Sequence, residues 1–263
     1  LISIETNPLL LMDIIMITIK KTHLLLLTTL FSPALYAAYE PAVEAQQGMV
    51  VSSQHLASQV GKDILQKGGN AIDAAVAVGY AQAVVNACCG NIGGGGFMTI
   101  HLADGTNTFI NFRETAPTAA SKNMYLDKDG NLIKEASLYG YLASGVPGTV
   151  KGLDAALEKY GTLSRQEVMA PAIKLAREGY ILTRADTDVL DTTTERFKQD
   201  PESAKIFLKP DGTPWQPGDR LIQTDLANTL ELIANQGADA FYQGEIPKKV
   251  EQASKQHNGL LTK

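Results

Sequence analysis

Residues 91–117 read NIGGGGFMTIHLADGTNTFINFRETAP. The four consecutive glycines from Gly93 to Gly96 fill no core and cost backbone entropy. A chain keeps such a run where its backbone must come very close to something else. Two apolar runs follow, residues 97–102 and 108–112, with Asp104-Gly105 between them. That pattern predicts a β-hairpin. Arg113 stands at the exit of the hairpin, behind a run that reads as buried. Taken by itself it reads first as one end of a surface ion pair with Glu114 or a neighbour, which is worth little. An arginine held by a rigid strand can also fork onto a carboxylate through two parallel hydrogen bonds.

The glycine run does not make a nucleotide site. It leads into a strand rather than from a strand into a helix, and no G-x-x-x-x-G-K-[ST] exists. The glycines read as a device for packing backbone on backbone.

Upstream, residues 47–53 (QGMVVSS) predict a short strand, with Ser53 capping a helix over 54–67. Leu56, Val60, Ile64 and Leu65 make its apolar stripe, and Gly68-Gly69 ends it. Asn70 caps a second helix over 71–86, AIDAAVAVGYAQAVVN, apolar on nearly every face and therefore buried on both sides. Downstream, Asp129-Gly130-Asn131 marks a turn, and residues 144–148 open a helix over 149–160. Ser164 and Glu167 form a capping box for the next helix, which Pro171 is expected to kink or restart. Residues 184–198 predict a polar, solvated helix, and residues 209–219 a turn-rich connection with three prolines. Two amphipathic helices follow, over 225–235 and 246–256, with a helical turn at 238–242 between them. Strands and helices in this mixture, at 263 residues and 44% hydrophobic content, indicate an α+β fold.

The first residue is Leu1, and Met16 begins a better unit. Lys20, Lys21 and His23 precede an apolar run over 24–31, with small residues around 34–38. This is the pattern of a secretory signal peptide, so residues 1–38 are set apart from the fold, and residues 1–15 read as a spurious upstream extension. The apolar run is short for a membrane span. Export places the protein in the periplasm or outside the cell, and residues 39–263 form its mature part. In that oxidising setting Cys88 and Cys89, the only cysteines, read as two small buried thiols rather than a bridge. A net charge of −5 gives no basic patch for nucleic acid.

The four histidines lie apart from one another, no H-E-x-x-H or G-x-S-x-G occurs, and no metal set is indicated. Yet GGNAIDAAVA, GNIGGGGF, FRETAP, SGVPGTVKG and PAIKLAREG follow one another in an order and spacing that resemble the N-terminal half of γ-glutamyltranspeptidases, of the bacterial periplasmic type. The resemblance runs over residues 47–263. It implies an αββα sandwich of the N-terminal-nucleophile hydrolases, cleaved from one precursor into a large and a small subunit. It implies glutathione and other γ-glutamyl compounds as donors, water, amino acids or dipeptides as acceptors, and no cofactor. It implies that Arg113, in the FRE motif, binds the α-carboxylate of the glutamyl group. By the same resemblance the nucleophilic threonine, with its own amine as base, lies beyond Lys263. The chain as given then holds substrate recognition and no catalytic residue. A cephalosporin or glutaryl acylase of the same fold, or a truncated secreted product without activity, are the alternatives.

Overall fold

The structure is a computed structural model and describes residues 42–263. The expected signal peptide, residues 1–38, lies outside the described residues. Residues 47–263 form one compact unit, which holds all the regular structure described below.

Helix α1 (His55–Gln66) and helix α2 (Ala71–Val85) pack as a pair. Asn70 starts α2 by accepting the Ile72 and Asp73 amides, while Asp73 accepts the Asn70 amide at 2.8 Å, a closed capping box. As its composition requires, α2 is buried on both sides. Val76, Ala77, Tyr80, Ala81 and Val84 lie in the core. Its neighbours are α1, α3 (Thr149–Tyr160) and α4 (Arg165–Glu178). Where α3 crosses, Gly79 leaves room for the Leu153 side chain, 3.0 Å from where a Cβ would stand. Asp73, fully buried, also accepts the Thr162 amide and hydroxyl and the Leu163 amide, tying α2 to the α3–α4 connection. Burial pushes its carboxyl pKa up, but these hydrogen bonds outweigh burial and hold it below the ordinary value.

The hairpin is β1 (Phe97–His101) with β2 (Asn107–Asn111), antiparallel, in the register Met98↔Ile110 and Ile100↔Thr108. Gly105 takes φ +86° in the connection. Met98, Ile100 and Ile110 face the helical core, and Tyr160 of α3 reaches Thr108 with its hydroxyl at 3.4 Å. The opposite face carries Phe97, Thr99 and Phe109, and is exposed. Here the expectation of a buried run fails. Alternation along the strands puts Phe97 and Phe109 on the outer face, 53% and 57% exposed.

A second small ladder joins β3 (Tyr180–Ile181) to β4 (Arg220–Leu221). Between them lie α5 (Arg184–Asp191), α6 (Thr194–Phe197) and α7 (Pro201–Phe207). The chain then forms α8 (Thr224–Gln236), which packs on α4, followed by α9 (Asp239–Tyr242) and α10 (Glu245–Gln256).

Several expectations need correction. Residues 47–53 form no strand among the described residues; they run as unpaired coil. The cap of α1 is Gln54, whose side chain accepts the Leu56 amide, while Ser53 instead accepts hydrogen bonds from Gln82 of α2 and from Asn86, its C-cap. Pro171 does not restart its helix: α4 is continuous, because one missing donor is offset by an apolar face buried through Val168, Met169, Ala172 and Ala176. The polar segment 184–198 breaks at Thr192-Thr193 into α5 and α6. Cys88 and Cys89 are neither thiols nor buried. They are joined to each other in an exposed turn after α2.

Candidate functional site

The site grows from the strand that carries Arg113. Beyond β2, Phe112 continues the ladder: its amide donates to the Gly96 carbonyl at 3.0 Å and its carbonyl accepts the Gly96 amide. Three residues later Thr115 pairs with Val146. Residues 112–115 are thus strung between the glycine run on one side and residues 144–148 on the other.

Glycines make this possible. A Cβ on Gly95 would stand 2.5 Å from the Phe112 carbonyl oxygen and 2.8 Å from the Arg113 Cα. On the other flank, a Cβ on Gly148 would overlap the Phe112 carbonyl, and one on Gly152 would overlap the Phe112 ring. The two glycine walls are linked, since the Gly94 carbonyl accepts the Gly148 and Thr149 amides at 2.6 and 2.9 Å. Those are unpaired donors at the start of α3, so the glycine run caps that helix. The segment 144–148 is held from below by Tyr242 of α9, whose hydroxyl donates to the Pro147 carbonyl and accepts the Lys151 amide. Burial raises the pKa of that phenol.

Arg113 projects from this clamp into solvent-accessible space. Its backbone amide donates to the Asn111 side chain at 3.0 Å. Its guanidinium carbon lies 5.8 Å from the centre of the Phe97 ring, which stacks on Phe109. The surface ion pair with Glu114 does not form, and among the described residues no ion pair includes Arg113. Arg113 lines an open cleft of about 470 Å³ together with Gly93, Glu114, Tyr125, Ser144 and Gly145. An arginine with no carboxylate partner, on a rigid backbone, beside hydroxyl groups, is equipped to bind an anion bidentately. The lining holds no histidine and no cysteine, and among the described residues no cluster could hold a metal ion.

The γ-glutamyltranspeptidase family model ("Gamma-glutamyltranspeptidase") matches residues 57–263. The chain belongs to the γ-glutamyltranspeptidase family. It is 55% identical over 240 residues to a glutathione hydrolase proenzyme of Pseudomonas sp. (strain A14), covering 90% of this chain and 42% of that protein. A γ-glutamyltranspeptidase structure from Helicobacter pylori superimposes with a TM-score of 0.82 at 48% identity, covering 84% of this chain and 64% of that one. An Acylase ACY 1 proenzyme of Pseudomonas sp. (strain SE83) is 39% identical over 221 residues, covering 82% of this chain and 39% of that protein. The chain therefore spans about two fifths of the length of these curated relatives. The expected α+β, N-terminal-nucleophile hydrolase fold stands on these likenesses.

Within this family frame, the sequence points to Arg113 alone. The structure adds Ser144 and Gly145 as the facing wall and Tyr125 as a further polar neighbour. The signal for the wall was already present as the SGVPG motif, but the Thr115–Val146 pairing that brings it to Arg113 is long-range. Nothing in the spacing of Tyr125 pointed to the cleft.

Proposed function

We propose that this chain supplies the substrate-recognition part of an exported enzyme that cleaves the γ-glutamyl bond of glutathione and transfers the γ-glutamyl group to water, an amino acid or a dipeptide. The observation that carries the reading is Arg113: an ion-pair-free arginine on a clamped strand, lining a cleft in a chain of this family. It takes the α-carboxylate of the glutamyl group, fixing the γ-carbonyl for attack. The attack belongs to a threonine at the N-terminus of a second subunit, released from the same precursor beyond Lys263. That threonine forms an acyl-enzyme and expels cysteinylglycine, and the acceptor then takes the glutamyl group. The basic and apolar residues before position 38 support a periplasmic or secreted location.

In the complete protein, Arg113→Ala and Arg113→Lys should raise KM for glutathione by roughly tenfold to a hundredfold, the ratio for a charged hydrogen bond. An unchanged KM removes the assignment. The acylase relative supports a second reading, hydrolysis of glutaryl amides. Arg113 would serve either substrate, since both carry a carboxylate. Glutaryl groups lack the α-ammonium, so comparing turnover of a γ-glutamyl and a glutaryl amide separates the two.

A further inference from the structure

Cys88 and Cys89 lie outside the hydrophobic core and outside the lining of the Arg113 cleft. They form a vicinal disulfide, exposed in the turn that leaves α2. We propose that this pair is a thiol–disulfide exchange site whose state is passed to the glycine run beside the cleft. The inference stands independently of the proposed activity, which uses neither sulfur.

The turn is short and well tied. The Cys89 and Gly90 amides both donate to the Asn86 carbonyl, at 3.1 and 2.8 Å. The next contact is made by a single side chain. Asn91 donates from Nδ2 to the Cys89 carbonyl at 3.3 Å, and its Oδ1 accepts the Gly94 amide at 2.5 Å. The Gly94 carbonyl in turn accepts the two amides that open α3, and Gly93 lines the cleft. One amide group thus joins the disulfide turn to the loop that clamps the Arg113 strand.

Exposed disulfides are the ones that small thiols attack. The reductant is a low-molecular-weight thiol, RSH. Its thiolate attacks one Sγ, the S–S bond breaks, and the displaced cysteine sulfur takes a proton. A second RS⁻ attacks the R sulfur of the mixed disulfide, releasing RSSR and the second cysteine as thiol. The disulfide gains two electrons and two protons, and two RSH are oxidised. Opening the ring unties the Cys88 side chain from Cys89, frees the Cys89 peptide to turn, and takes the Asn91 Nδ2 partner with it.

The test uses the complete protein under native conditions, with 2-mercaptoethanol as the thiol and iodoacetamide as the trap. Both cysteines should be alkylated after thiol treatment and neither before it, read by peptide mass. Amide hydrogen exchange at Gly94 should rise about fivefold with reduction, the size of one ordinary hydrogen bond. In the double variant Cys88→Ala/Cys89→Ala, Gly94 exchange should no longer respond to thiol. In Asn91→Ala, alkylation should proceed as before while Gly94 exchange starts high and does not move. The proposal is overturned if the native protein resists alkylation, if alkylation leaves Gly94 exchange unchanged, or if the double variant responds to thiol as the parent does.

Discussion

The Phe112 ring lies against the Cα of Gly152, in the volume that a side chain there would need. Phe112 is the residue before Arg113, so α3 fixes the cleft's arginine through its neighbour. Gly152→Ala should therefore cost about 1–3 kcal/mol by overpacking. It should also raise KM for a γ-glutamyl substrate, because the strand must shift. Thermal unfolding and steady-state kinetics read the two effects. In the double variant Gly152→Ala with Phe112→Ala the losses should sum to less than those of the two single changes, because removing the ring takes away the Cγ and Cδ1 that the new methyl meets, and full additivity would place the clash elsewhere.

Asp73 predicts an acid-side stability effect. Its folded pKa is depressed below the unfolded value of 3.8, because its hydrogen bonds outweigh its burial. A depressed carboxyl contributes stability that is fully present above the unfolded pKa and is lost as pH falls through the folded one. Asp73→Asn should destabilise by about 2 kcal/mol at neutral pH, since it replaces a charged acceptor with a neutral one and turns a donor toward the Asn70 or Thr162 amide. The difference in urea midpoint between the parent and Asp73→Asn should shrink from pH 6 to about pH 3. A gap that widens on acidification contradicts this assignment.

A second buried carboxylate holds three elements together. Asp154 of α3 accepts Arg165 Nε of α4 at 2.5 Å and the Ala238 amide beside α9 at 3.1 Å. Its side chain is 7% exposed and that of Arg165 21%. Removing the carboxylate leaves a largely buried guanidinium short of a partner and an amide unpaired. Asp154→Ala should cost about 3 kcal/mol, and more than Glu158→Ala, whose exposed carboxylate meets the same guanidinium. Equal losses in chemical denaturation would refute the ranking.

Local signals read well in this chain because the chemistry of caps and turns is local. Asn70, Ser164 and Asp104-Gly105 each act within three residues, and each marks the boundary the structure shows. The failures before α1 and at the cleft wall depend on partners distant in sequence. Ser53 has the chemistry of a cap, but the Gln82 and Asn86 side chains, more than 25 residues away, claim its hydroxyl. Residues 49–51 have strand composition and no strand beside them among the described residues. Cys88 and Cys89 follow an apolar helix, yet α2 ends at Val85 and the chain turns outward. At the site the arginine was legible through its motif. The wall opposite it was legible as a motif and not as a place, since the Thr115–Val146 bridge spans 31 residues that periodicity cannot cross.

Phe97 gives the last prediction. Its ring stands 5.8 Å from the Arg113 guanidinium carbon and stacks on Phe109 at the same spacing. A cation–π contact at an exposed site is worth about 0.5–1 kcal/mol, which is roughly two- to fivefold in an equilibrium. Phe97 is then a positioning residue for Arg113. In the complete protein Phe97→Leu should raise KM for glutathione by about two- to fivefold and leave kcat nearly unchanged. Phe97→Tyr should restore KM, because a phenol ring offers the same face to the cation. In an Arg113→Ala background, Phe97→Leu should have no further effect on KM, since the partner is gone. Additive losses in that double variant would show that Phe97 acts on stability or on substrate by another route.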